Sequence, residues 1–263
     1  MTSDPKHGKT DSARKSGRPT ATGTGRGSAA APATETGEQG DLLETLVTIL
    51  WALVFAGIIR IFLFEAFQIE GPSMEPTLYD ADRVLVTKFS YGVRLPFRND
   101  AIVSWGMPAA GDVVIVTGPR DNVDIVKRVV GLPGDVISIK GGVVHRNGAP
   151  LSVAGKVRPC EELNNRLHDF DEDECVWTEE RVGDHVYRTS RNTFYEYPDR
   201  QWPPVPEGYI FVMGDHRDES NDSRTFGAVS AKRLKGRALA IYWSGSWPWS
   251  GTTRWNRIGH PLD

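Results

Sequence analysis

The sequence predicts a mainly β protein: an antiparallel β-sheet domain with a smaller inserted lobe, preceded by one transmembrane helix and a disordered N-terminal tail. Three observations carry that expectation. Valine and isoleucine cluster in short runs broken by turn signals, in a chain with 27 glycines and 17 prolines. One apolar run, residues 46–64, holds a single charge, Arg60. A polar, acidic, proline-bearing segment at about 143–207 interrupts the strand pattern.

Residues 1–41 are rich in Gly, Ser, Thr, Ala and Pro and nearly free of large apolar side chains. Such a segment buries too little surface to offset its ordering entropy, so it is predicted to be disordered. Gly8-Lys9-Thr10 looks like the end of a phosphate-binding loop but lacks the upstream glycine and the flanking strand. The span predicted next, 42–64, is long enough to cross a bilayer, and Arg60 lies near enough to its end to reach the interface. A cleaved secretory signal fits poorly, because the run is too long and no small-residue site closes it. Lys6, Lys9, Arg14, Lys15, Arg18 and Arg26 lie mostly too far away to set topology, so charge only weakly favours a tail inside and a domain outside.

Residues 65–263 form the predicted β-rich domain. Strands are expected over 83–89, 112–117, 125–130, 136–140, 208–213 and 237–242, punctuated by Pro133-Gly134-Asp135, Lys140-Gly141-Gly142 and Asn147-Gly148. The inserted lobe, 143–207, carries both cysteines, Cys160 and Cys175. They lack zinc-ligand spacing; a disulfide and two separate thiols both fit. A bridge would stabilise by roughly 3 kcal/mol and would persist only if the domain is exported. Trp243, Trp247, Trp249 and Trp255 crowd the C-terminal region, as packed core or as a belt at a lipid interface. A net charge of -3 gives no footprint for nucleic acid.

Three stretches carry chemistry. In Gly71-Pro72-Ser73-Met74-Glu75-Pro76, Pro72 fixes its own φ and is expected to push Gly71 towards extended geometry, holding Ser73 stiffly just past the apolar run. In Asp124-Ile125-Val126-Lys127-Arg128-Val129, strand alternation places Lys127 on the apolar face with Ile125 and Val129 and turns Arg128 the other way. Desolvation there lowers an amine's pKa and makes it a usable base. Met213-Gly214-Asp215-His216-Arg217-Asp218-Glu219-Ser220-Asn221-Asp222-Ser223-Arg224 is dense in hydrogen-bonding groups directly after a strand.

Jointly, and in this order, the three stretches resemble bacterial type I signal peptidase, a membrane-bound serine protease with a Ser-Lys dyad. The similarity spans about 60–142 and 208–243. The resemblance implies cleavage after the Ala-x-Ala end of signal peptides on exported preproteins, with Ser73 as nucleophile and Lys127 as general base. It implies Ser220 as the hydroxyl that orients the lysine, with Gly214 beside it and Asp222 and Arg224 as a supporting pair. Phe67, Ile69, Val84, Ile125 and Val126 match the substrate cleft. It further implies a single pass through the bacterial cytoplasmic membrane in contact with lipid, the catalytic domain outside, and neither metal nor other cofactor.

Two departures stand out. Where many members carry a serine, position 71 is glycine, so the backbone N–H of Ser73 becomes the main oxyanion donor and the second is unassigned. Where the family usually has asparagine, position 216 is histidine, which admits a rival mechanism with His216 as base, oriented by Asp215 or Asp218. Two further readings remain open: a self-cleaving Ser-Lys protease, and a tethered β domain that binds export substrates without cutting.

Overall fold

The computed structural model describes residues 37–93, 102–159, 174–192, 197–246 and 251–262. Cys160, Trp247 and Trp249 lie outside them, as do residues 1–36, and with them the cysteine pair and most of the tail.

Helix α1 runs Gly37–Phe62. It starts before the expected end of the tail. Asp41 and Glu44 sit in its first turns, where the helix dipole favours acidic groups. Thr45 and Thr48 donate their hydroxyls to the carbonyls of Asp41 and Glu44. Leu46, Leu50, Trp51 and Phe55 are exposed along it. Among the described residues, no helix is long and apolar enough to cross a membrane.

The strands that follow are β1 (Phe64–Gln68), β2 (Asp82–Thr87), β3 (Gly92–Val93), β4 (Val103–Ser104), β5 (Val113–Thr117), β6 (Asp124–Gly131), β7 (Ile137–Lys140), β8 (Val143–Arg146) and β9 (Ala149–Pro150). Then come β10 (Ser152–Pro159), β11 (Glu174–Val182), β12 (His185–Asn192), β13 (Arg200–Gln201), β14 (Tyr209–Met213), the short helix α2 (Ser223–Phe226), β15 (Val229–Ser230) and β16 (Leu234–Ser244). Among the described residues they form a mainly antiparallel architecture. A seven-stranded sheet runs β1-β2-β16-β5-β6-β14-β15 and carries the site. Sheets β13-β7-β8-β9 and β10-β11-β12 lie in and around the inserted segment.

Each expected strand is present to within a few residues, because valine and isoleucine runs pack well on a pleated sheet. The apolar run gives up its last residue: Phe64 pairs with Thr87 in β1. The inserted lobe is more regular than its composition suggests. β11 and β12 pair over eight consecutive positions, with Glu180 and Ser190 buried on opposite faces where apolar residues were the readable signal.

The central sheet is covered on both faces. Val113, Ile115, Val84, Val86 and Ile241 belong to one buried cluster, and Val114, Val116, Val129 and Val212 to another. β6 is an interior strand, paired with β5 from 124 to 128 and with β14 from 128 to 131. Its first half therefore has β5 on one side and, among the described residues, no strand on the other.

Candidate active site

β6 places the amine. Lys127 pairs with Val114 across the ladder, and its neighbours Ile125 and Val129 pair with Val116 and Val212. Those partners are buried, so the side chain starts from an apolar face and is only 4% exposed. Lys127 Nζ donates to Ser73 Oγ at 2.7 Å and to the Val126 carbonyl at 2.9 Å. Burial pulls the amine down to about 8 from its usual 10.5; Asp222 and Asp215 oppose this, and Arg224 adds to it.

The turn after β1 places the hydroxyl. Met74 and Leu78 are buried in the core cluster beneath it and pin residues 73–78. Glu75 N–H bonds the Pro72 carbonyl at 2.9 Å, and Leu78 N–H bonds the Met74 carbonyl. Gly71 departs from the expected extended geometry, with φ at +80°. Without a Cβ it escapes the steric restriction that proline imposes on its predecessor, and its N–H is taken by Asp80 Oδ1 at 3.0 Å.

The loop after β14 closes round both groups. Gly214 packs so tightly that a Cβ would overlap the Ser220 hydroxyl and the Ser73 carbonyl. Asp222 is fully buried and accepts from Gly214 N–H at 2.9 Å, Ser220 Oγ at 2.8 Å and Arg224 Nε at 2.8 Å. Burial alone would raise its carboxyl, but Arg224 and the other donors hold it below the usual range. Asp222 also caps α2 through Arg224 N–H. Ser220 thus reaches the site and gives its proton to the Asp222 carboxylate, while the Lys127 amine donates to Ser73 Oγ and the Val126 carbonyl.

The cleft residues divide. Ile125 lines a cleft of about 280 Å³ with Ser73, Lys127, Gly71, Arg120, Glu219 and Phe226. Val84 and Ile69 are core residues instead: Val84 lies on the interior strand β2, Ile69 follows β1, and both belong to the buried cluster. Phe67 and Val126 are half-buried against that cluster.

His216 is 8% exposed, and its main-chain N–H donates to the Ser73 carbonyl at 3.2 Å. Its ring Nδ1 is buried without a hydrogen-bond partner. Burial holds the imidazole below its usual range, against the pull of Asp218 and Glu219. The rival mechanism lacks its geometry. Asp215 is committed to Arg128, and Asp218 accepts from Asn192 N–H and the Tyr197 hydroxyl.

Several supporting groups escaped the sequence reading. Arg128 does turn away from Lys127, but into a second buried face. There it forms a two-pronged pair with Asp215 (2.9 and 2.7 Å), donates to the Gly111 carbonyl and stacks on Tyr187. Thr77 adds a hydroxyl to Asp215. Arg217 pairs with Glu180 of β11, which also accepts from Tyr187. The only hint was a second cation adjacent to Lys127 on a strand flanked by apolar runs.

A β-sheet fold that seats a serine hydroxyl against a sheltered amine defines a serine peptidase. A family model described as signal peptidase, peptidase S26, matches residues 42–243. Signal peptidase I of Pseudomonas fluorescens is 40% identical over 205 residues, covering 73% of this chain and 68% of that protein. Its counterpart in Pseudomonas aeruginosa is 36% identical over 219 residues, covering 77% and 73%, and that of Bacillus licheniformis 34% over 208 residues, covering 79% and 91%. The chain belongs to the signal peptidase family, peptidase S26.

Proposed function

We propose that this chain removes signal peptides from exported preproteins, with Ser73 as nucleophile and Lys127 as general base. The observation that carries the reading is the 2.7 Å approach of Lys127 Nζ to Ser73 Oγ inside an apolar surround. In its neutral form the amine accepts the Ser73 proton as Oγ bonds the scissile carbonyl carbon. The ammonium returns that proton to the leaving amine, and the neutral amine then takes a proton from the water that releases the acyl group. The Ser73 N–H is one donor to the developing oxyanion. The open side of β6 at 124–127 suits a substrate added as an extended strand, and Ile125 suits the small side chains of an Ala-x-Ala end. The apolar run at 46–64 anchors the chain as a single pass in contact with lipid, with the peptidase domain on the outer face of the bacterial cytoplasmic membrane.

The sign of the pH effect follows from the lowered amine. Below about 8 the lysine is protonated and inactive as a base. Activity on a peptide with an Ala-x-Ala end therefore rises by about tenfold per pH unit towards that value and levels off above it. A rise that continues to the ordinary lysine range would show an unperturbed amine and overturn the assignment. Gly214→Ala is expected to lower kcat by about a hundredfold, since the new methyl displaces Ser73 or Ser220. Steady-state kinetics beside circular dichroism check that outcome.

A further inference from the structure

We propose that a small cavity lined by Arg191 of the inserted lobe binds a monovalent anion, either free chloride or the carboxylate head of a larger molecule. Neither Ser73 nor Lys127 lines it, so the inference does not rest on their roles. The cavity measures about 40 Å³, on a scale where one water needs about 10–15 Å³. It therefore has room for one small anion. Three guanidinium groups face it, those of Arg191, Arg217 and Arg224, against one carboxylate, Glu180. Ladder register gathers the lobe's share on one face: Thr178 opposes Thr189, and Glu180 and Arg191 each follow two residues on.

Two of the three cations are matched. Arg217 holds both Glu180 oxygens, at 2.8 and 2.5 Å, and Arg224 pairs with Asp222 at 2.8 Å. Arg191 is half-buried and, among the described residues, has neither a hydrogen-bonded nor an ionic partner. Carboxylates on neighbouring segments are engaged elsewhere: Asp218 accepts from Asn192 N–H and the Tyr197 hydroxyl, and Asp199 from Gly141 N–H at 2.7 Å. The place of Arg191 is nonetheless fixed. A Cβ on Gly142 would meet its Cζ and Nη1 at 3.4 Å and its Nη2 at 3.6 Å, so the guanidinium lays its flat face on that glycine. Guanidinium donors lie in the plane of the group, so stacking leaves them open to an acceptor at the edge. One unmatched positive charge, partly withdrawn from water, calls for one negative charge. Arg217 Nε holds the Gly214 carbonyl at 3.1 Å and Arg224 Nη2 the Arg217 carbonyl at 2.7 Å. A bound anion would thus tie the β7–β8 turn and β12 to the loop that carries Ser220.

The test follows thermal unfolding of the full chain in detergent by circular dichroism, as sodium chloride or sodium acetate is added to a low-salt buffer. At about ten times its dissociation constant the anion is expected to raise the wild-type midpoint by about 4 °C more than that of Arg191→Gln, and the difference saturates. Arg191→Lys keeps the charge but loses the planar fork, so it needs about tenfold more salt for the same rise. A saturating difference with chloride alone identifies the free ion as the ligand; one with acetate, alone or as well, admits a carboxylate head. Equal midpoints for wild type and Arg191→Gln at every concentration of both salts would mean general screening and overturn the site. A difference that never saturates would do the same. Should Arg191→Gln not fold, Arg191→Lys decides alone: a curve that coincides with the wild type sinks the proposal.

Discussion

Lys127→Met is expected to lower kcat by on the order of 10⁴-fold or more while leaving the fold as stable at neutral pH as the wild type, or more so. The two halves of this result come from one cause. The amine is the only group bonded to Ser73 Oγ among the described residues, so removing it leaves the hydroxyl without a base. Methionine matches lysine's length and suits the apolar face formed by Val114, Ile125 and Val129. Because burial lowers the lysine pKa, the folded state binds its proton less readily than the unfolded chain does. That penalty is present at neutral pH, shrinks as pH rises past about 8, and vanishes with the substitution. Preprotein cleavage and denaturant unfolding of the full chain, run side by side, check both. A variant that still cleaves removes the base; one that loses activity only by unfolding makes the lysine structural.

Asp215→Asn has the opposite character: a large loss of stability. Arg128 is 2% exposed and Asp215 1%, so the guanidinium left behind has neither water nor an anion. Removing one partner of such a pair costs about 3–5 kcal/mol, whereas Arg128→Met together with Asp215→Asn costs markedly less because no charge is stranded. Unfolding midpoints of the single and double variants decide this. A single variant within about 1 kcal/mol of wild type would mean the pair bears little. The Asp215 carboxylate also opposes the lowering of Lys127, so its removal is expected to shift the activity profile to lower pH.

What could be read without coordinates follows from how local each signal is. β5, β6 and β14 announce themselves through runs of valine and isoleucine, and alternation alone put Lys127 among apolar neighbours. The bond of Ser220 to the buried Asp222 was not legible, because two residues of separation say nothing about which side chains a loop turns inward. Ile69 and Val84 were given to the cleft because apolar side chains carry no mark of which side of a sheet they cover. β11 and β12 were obscure for a different reason. Their buried positions include Glu180 and Ser190, satisfied by Arg217 and Glu75 from distant parts of the chain, and no window of sequence contains such pairings.

The bonds of β12 to the site loop have a mechanical consequence. The Ser190 N–H is committed to the Asp215 carbonyl, and the Ser190 carbonyl to Arg217 N–H, so strand and loop are laced by main-chain bonds that only proline would remove. The insertion is therefore a buttress and not an appendage. Whatever tugs on that lobe, whether a bound molecule or the preprotein itself, pulls directly on the wall behind Ser73.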